Sequence, residues 1–138
     1  MSYLLDTNVV SELVRSKPNA NVVTWLQGVP DETLHMSVLS LGELRSGIER
    51  LGPGPRREKM RVWLERELPG WFEDRLLPVS GEVADRWGRL LAGAGRTVSA
   101  VDALLAATAL VNGLRLVTRN TRDFGFPGLD VVNPWTGR

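Results

Sequence analysis

The sequence predicts an α/β protein with a parallel sheet covered by helices on both faces. Three observations carry that expectation. Short apolar runs alternate with stretches of helical periodicity from one end of the chain to the other. One segment, Ser99 to Asn112, is apolar on nearly every side, as a buried helix must be. No repeat, low-complexity tract or internal boundary interrupts the pattern, so residues 1–138 read as one domain.

In chain order, Tyr3 to Asp6 reads as a short buried strand and Val9 to Arg15 as a short helix ended by Ser16-Lys17-Pro18. Asn19 or Asn21 caps a second helix that runs to Gln27, with Gly28 just past its end. Thr33 to Ser37 is a second strand. Leu41, Leu44, Ile48 and Leu51 recur at three and four residues and mark one face of a helix from Val38 to Leu51. Gly52-Pro53-Gly54-Pro55 breaks the chain. A basic helix follows from Arg56 to Glu67, stopped by Leu68-Pro69-Gly70, and Arg75 to Val79 is a third strand. Ser80 caps a helix through Leu91, and Ala92 to Arg96 is a small-residue linker before the buried helix, which Gly113 closes. Leu114 to Thr118 is the fourth strand, Asn120 to Gly128 a loop, and Leu129 to Asn133 the last strand.

Composition narrows the functions. The chain is 43% apolar and 24% charged, ordinary for a globular protein. It has no cysteine, which excludes disulfides and thiolate metal sites. The N-terminus lacks a signal-peptide pattern and no apolar run spans a membrane, so the expectation is a cytoplasmic protein with no membrane contact. A net charge of +1 exerts little general pull on nucleic acid. Lys17 and Lys59 are the only lysines. The arginine excess suits bidentate phosphate contacts, and it also accompanies GC-rich coding.

Four acids stand where stability alone has little use for them: Asp6 at the end of the first strand, Glu43 in SVLSLGELRSG, Asp102 in the first turn of the buried helix, and Asp123 in TRNTRDF. Each has a plainer reading. Ser99 and Asp102 match a capping box, and an acid there suits the helix dipole. Asn120 and Asp123 are good turn formers. Glu43 has Gly47, not a cation, four residues on, and the small Ser40, Gly42 and Gly47 around it would let another segment approach closely.

Together the four fall at or beside the carboxyl edge of one sheet, where sites in such folds lie. Converging carboxylates repel and need protons or a counter-charge. With no cysteine and with His35 inside a strand, the natural counter-charge is Mg²⁺, or Mn²⁺, which prefer oxygen ligands and keep waters. Asp6 and Asp102 are expected as direct ligands, Glu43 and Asp123 as direct or water-mediated ones. Thr7, Asn8, Thr118 and Asn120 are placed to orient those carboxylates.

LLDTNVVSEL, SLGEL, VDALLAATAL and LVTRNTRDF, in this order, resemble the PIN-domain nucleases, and most closely the VapC and FitB type of toxin. VVNPW near the end fits the FitB-like branch. The resemblance covers almost the whole chain. It implies a three-layer α/β/α fold on a roughly five-stranded parallel sheet and a Mg²⁺-dependent endoribonuclease, usually a homodimer. It also implies neutralisation by a small VapB-like antitoxin whose C-terminal segment enters the acidic groove. Carried over by position, the family's acids fall on Asp6, Glu43, Asp102 and Asp123. Many relatives carry an acid where this chain has Asn120, so whether Asn120 or Asp123 faces the metal is open.

Other side chains are read more plainly. His35 alternates on its strand as a packed or surface residue, and metal-activated water does not require it. Trp25, Trp63, Trp71, Trp87 and Trp135 suit cores or subunit contacts, although tryptophan also stacks on bases. Arg45, Arg96, Arg119 and Arg122 flank the acidic motifs and are the candidates for RNA phosphates, while Arg45 also stands one turn before Glu49. Two other readings stay open: a nuclease of RNA processing or of DNA, and a module that binds metal or a basic peptide without cutting. No sequence-specific DNA binding is expected of this chain by itself.

Overall fold

The computed structural model describes residues 1–137. Among them, five strands form one all-parallel sheet: β1 (Tyr3–Leu5), β2 (Leu34–Ser37), β3 (Leu76–Leu77), β4 (Arg115–Val117) and β5 (Val131–Val132). Their order across the sheet is β3-β2-β1-β4-β5. Leu4 of the central strand lies opposite His35 on one side and Leu116 on the other.

The period of two along each strand divides the core. Leu5 and Val117 point to one face with Leu34 and Met36, under α1 (Thr7–Glu12), α2 (Ala20–Gln27), α3 (Val38–Glu49), α4 (Pro55–Val62) and α5 (Leu68–Phe72). Leu4 and Leu116 point to the other, under α6 (Gly81–Gly93) and α7 (Ala100–Val111). Helices on both faces of a parallel sheet give the three-layer fold that the alternating pattern predicts. Ala103, Ala106 and Ala109 of α7 are fully buried. Their small side chains bring that helix close to the sheet.

At four boundaries the structure decides or corrects the sequence reading. α1 starts at Thr7 rather than Val9, because Asp6 caps it directly. Asn19, not Asn21, caps α2: its Oδ1 accepts the Asn21 and Val22 N–H groups. β3 shrinks to two residues. Arg75 ends a 3₁₀ turn, where its guanidinium donates to the carbonyls of Asp31, Leu34 and Trp71, and Pro78 lacks the N–H that would continue the ladder.

The fourth is the largest. Pro69 does not stop the helix that begins at Pro55; a π turn over Trp63–Glu67 carries the chain from α4 into α5. The Leu68 N–H reaches back five residues to the Trp63 carbonyl. Widening by one residue relieves the clash between a proline ring and the carbonyl four residues earlier. Gly113, at φ +65°, closes α7 as predicted. No helix among the described residues is long and apolar enough to cross a membrane.

Candidate functional site

β1 ends at Asp6 because that residue serves both the strand and the helix after it. Its N–H donates to the Val117 carbonyl at 2.9 Å, extending the β1–β4 ladder. Its Oδ1 accepts the Thr7 N–H at 2.7 Å and caps α1. The remaining oxygen, Oδ2, accepts from the Thr118 hydroxyl at 2.8 Å, 112 residues away in sequence. Asp6 is 8% exposed and Thr118 fully buried.

Thr118 Oγ1 also accepts the Asn120 N–H at 3.0 Å and the Asn8 side-chain amide at 3.4 Å. Asn8 Oδ1 in turn takes the Arg119 N–H at 3.4 Å. One buried hydroxyl thus ties the end of β1, the first turn of α1 and the loop after β4 together, and fixes the orientation of Asp6.

Glu43 joins from the other side. The Thr7 hydroxyl donates to Glu43 Oε1 at 2.6 Å and lies 2.9 Å from the buried Ser40 hydroxyl. The close approach expected around Gly42 and Gly47 does not occur within this chain, since a Cβ at either meets nothing within 4 Å. Both face outward on α3, and Ser40 alone takes the packed position. On α7, Ser99 Oγ accepts the Asp102 N–H at 3.3 Å, half of the expected capping box.

The protonation of these acids reports their convergence. Burial pushes the Asp6 carboxyl up; hydrogen bonds from Thr118 and Thr7 oppose that, and the charges of Glu43 and Asp123 add to it. Asp102 is pushed to about 6, first by burial, then by Asp123, Asp6 and Glu43, against a smaller pull from Arg96. Among the described residues, none of the four forms an ion pair with Arg or Lys. Desolvation plus uncompensated like charge is the pattern of a functional site more than of a structural one.

The donor set is all oxygen. His35 cannot contribute, because its Nδ1 sits between the Thr33 and Tyr3 carbonyls at 3.1 and 3.3 Å, towards the amino ends of the strands. Among the described residues, no three His, Cys, Asp or Glu side chains form a ready metal cage. Such a set fits a hard divalent cation that keeps several waters and takes one or two carboxylates directly, and it does not fit zinc in a closed site. Of the two candidates after β4, Asn120 spends its N–H on Thr118 and its carbonyl on the Asp123 N–H at 3.0 Å. The charge that reaches Asp6 and Asp102 is that of Asp123.

The profile of the PIN domain matches residues 3–127. The chain belongs to the PIN-domain family. The plasmid stability protein StbB of Pseudomonas syringae pv. tomato is 42% identical over 135 residues, 96% of this chain and 97% of that one. Toxin FitB of Neisseria gonorrhoeae is 36% identical, again over 96% and 97%. The VapC ribonuclease Y4jK of Sinorhizobium fredii is also 36% identical, over 96% of each. Among solved structures, FitAcB from Neisseria gonorrhoeae superposes with a TM-score of 0.88 at 34% identity, covering 96% of this chain and 98% of its own. DNA-bound VapBC from Salmonella typhimurium gives a TM-score of 0.76 at 26% identity, over 97% and 98%.

Within this PIN domain the four arginines part company. Arg45 is engaged by Glu65 at 2.7 Å and Glu49 at 3.9 Å, so the expected Arg45–Glu49 pair forms and its charge is spent within the chain. Arg96 lies over the Phe126 ring and Arg119 over that of Trp135. Arg122 is exposed on the 3₁₀ turn after β4. The NPW segment earns its place mechanically: Asn133 accepts the Trp135 N–H and donates to the Arg119 carbonyl, while Asn21 of α2 donates to the Trp135 carbonyl.

Sequence reading missed two residues. Ser40 supports Thr7 beneath Glu43; its small size was the only signal. Glu12 is 5% exposed, with Oε2 accepting the Asn19 N–H at 2.8 Å and Oε1 3.3 Å from Arg15. It anchors the start of α2 and belongs to no acidic cluster. Its position three residues after the buried Val9, on the apolar face, was the available clue.

Proposed function

We propose that this PIN domain is a divalent-metal-dependent endoribonuclease and the toxin of a VapBC-type toxin–antitoxin pair. The observation that carries the reading is the convergence of four acids at the carboxyl edge of the sheet. Asp6 and Asp102 are partly desolvated, and the exposed Glu43 and Asp123 are close enough for their charges to reach them. None is in an ion pair among the described residues. The names of the relatives support the substrate class and the toxin role.

Asp6 and Asp102 would hold Mg²⁺ or Mn²⁺, with Glu43 and Asp123 bound directly or through water. A bound cation of this kind supplies Lewis-acid polarisation of a phosphate and a more acidic water. Thr118 and Thr7 hold Asp6 and Glu43 in place by the hydrogen bonds described. Asn8 and Asn120 hold Thr118. Asp102, raised to about 6, would have to give up its proton before it could hold the ion. Arg119 and Arg122 take RNA phosphates on either side of the cut and Arg96 contacts the strand beside it; Arg45 is left out, since Glu65 and Glu49 already balance it.

The acidic groove also suits a basic C-terminal segment of a small VapB-like antitoxin, and the toxin is read as a homodimer. Solved neighbours that are toxin–antitoxin complexes support the first. RNA incubated with the purified chain is expected to be cut with Mg²⁺ or Mn²⁺, not with EDTA, and not by Asp6→Asn. Sequencing RNA ends after brief induction of parent and Asp6→Asn chains would locate the cut. Metal binding without turnover would replace the nuclease by a binding module. Cleavage without cellular harm would move the reading to RNA processing.

A further inference from the structure

Between the end of α6 and the loop after β4 lies a cleft of about 390 Å³, lined by Arg89, Gly93, Ala94, Arg96, Phe126 and Pro127. That volume suits a small ligand. The floor is apolar and the two cations are arginines. Arg96 spans the cleft: its guanidinium carbon is 5.9 Å from the centre of the Phe126 ring, and its Nη2 is 4.0 Å from where a Cβ on Gly125 would stand. Gly125 lines the cleft two residues after Asp123, so the cleft adjoins the acidic groove. Arg89 is paired with Asp85 at 2.9 Å, but both are well exposed, and such a pair is cheaply exchanged for another anion.

We propose that this cleft is a nucleotide subsite: it takes one base of the RNA strand beside the bond to be cut, stacked on the outer face of the Arg96 guanidinium, with Arg89 on the flanking phosphate. The proposal rests on the endoribonuclease reading. Bases of single-stranded RNA are held by stacking on aromatic rings or on arginine planes. Arg96, whose guanidinium carbon lies 5.9 Å from the centre of the Phe126 ring, offers such a plane at the cleft. The sign of the cleft favours a nucleotide over the basic peptide that suits the acidic groove. Gly93 keeps the opposite wall open, since a Cβ there meets nothing within 4 Å.

The test uses the Asp6→Asn chain with Mg²⁺, so that RNA binds uncut, and short single-stranded RNAs carrying one abasic position moved along the strand. One position beside the cleavage site, mapped with the parent chain, is expected to weaken binding about tenfold when abasic. Arg96→Ala removes that dependence. Arg96→Lys keeps the charge without the plane and behaves like Arg96→Ala. Gly93→Leu fills the cleft without altering Arg96 and also abolishes the dependence. A flat abasic scan by a chain that cuts RNA overturns the subsite and leaves the nuclease reading intact. So does an Arg96→Lys chain that matches the parent, which would make Arg96 a phosphate contact only. Variants that leave RNA binding unchanged but weaken the hold on an antitoxin peptide would also overturn it. A parent chain that neither cuts nor binds RNA removes both readings.

Discussion

Two acidic regions of this PIN domain behave in opposite ways. On the surface shared by α3 and the helix from Pro55, Glu49, Glu58 and Glu65 each have an arginine: Arg45 meets Glu65, Arg57 meets Glu49 at 3.2 Å, and Arg61 meets Glu58 and Glu65. Arg61 holds the Glu58 carboxyl below its usual range, and Arg45, then Arg61, do the same for Glu65. At the carboxyl edge of the sheet, Asp6 and Asp102 move the other way, because burial and like charge outweigh what opposes them: hydrogen bonds from Thr118 and Thr7 at Asp6, and the weaker pull of Arg96 at Asp102. Glu43 and Glu49 share one helix and fall on different sides of this divide. Acids on the paired surface are solvated and cost the fold little. Asp6 and Asp102 at the edge are charged only at a cost to stability, the arrangement expected where a ligand is to be held.

The contrast can be broken first at Asp6. Asp6→Asn keeps the cap on α1 but removes a charge from the groove, and RNA cleavage is expected to fall about 1,000-fold, measured as an initial rate with saturating Mg²⁺. A loss under tenfold would mean that the edge is not the active site. Thr118→Val comes next. It frees Asp6 Oδ2 and leaves the Asn120 N–H and the Asn8 amide without an acceptor, so activity should fall about 10–100-fold and stability by about 1–3 kcal/mol in urea unfolding.

The third test is thermal. The folded value of Asp102, about 6, lies above its ordinary 3.8, so folding takes up a proton there. The stability this brings is full below pH 3.8 and is lost as pH rises through 6. Melting of the metal-free chain should therefore fall between about pH 4 and pH 6, with Asp102→Asn flattening the profile. Mg²⁺ should raise the melting point by several degrees at pH 7.5 and by less at pH 5, where protons compete. Equal gains at both would detach the ion from these carboxylates. The smallest effect belongs to the paired surface: Arg45→Gln should change cleavage less than about twofold and stability by at most about 1 kcal/mol. A tenfold loss of cleavage would return Arg45 to the RNA path.

Much of the edge was readable because its chemistry is local. Asp6 ends an apolar run, Asp102 sits three residues after a capping serine, and Asp123 follows the fourth strand, so each could be assigned to the carboxyl side of an element. What each acid meets was not readable. Arg45 and Arg96 look alike beside their motifs, yet one is balanced by Glu65, twenty residues on, and the other lies over Phe126. Pro69 shows the same limit for the backbone: a proline predicts a stop, but packing of Leu64, Leu68 and Phe72 into the core carries the chain through it by a π turn.

By itself, the amino-acid sequence determined the alternation of strands and helices, the split of apolar residues between two faces, and the sheet edge at which its four odd acids would stand. Periodicity and capping are short-range, so neighbouring residues suffice to specify them. Only the tertiary structure decided that β1 lies between β2 and β4, which brings the Thr118 hydroxyl to Asp6 and, among the described residues, leaves the four acids near one another with no ion pair. Strand order and charge pairing are set by the burial of the whole chain, and no window of sequence contains that.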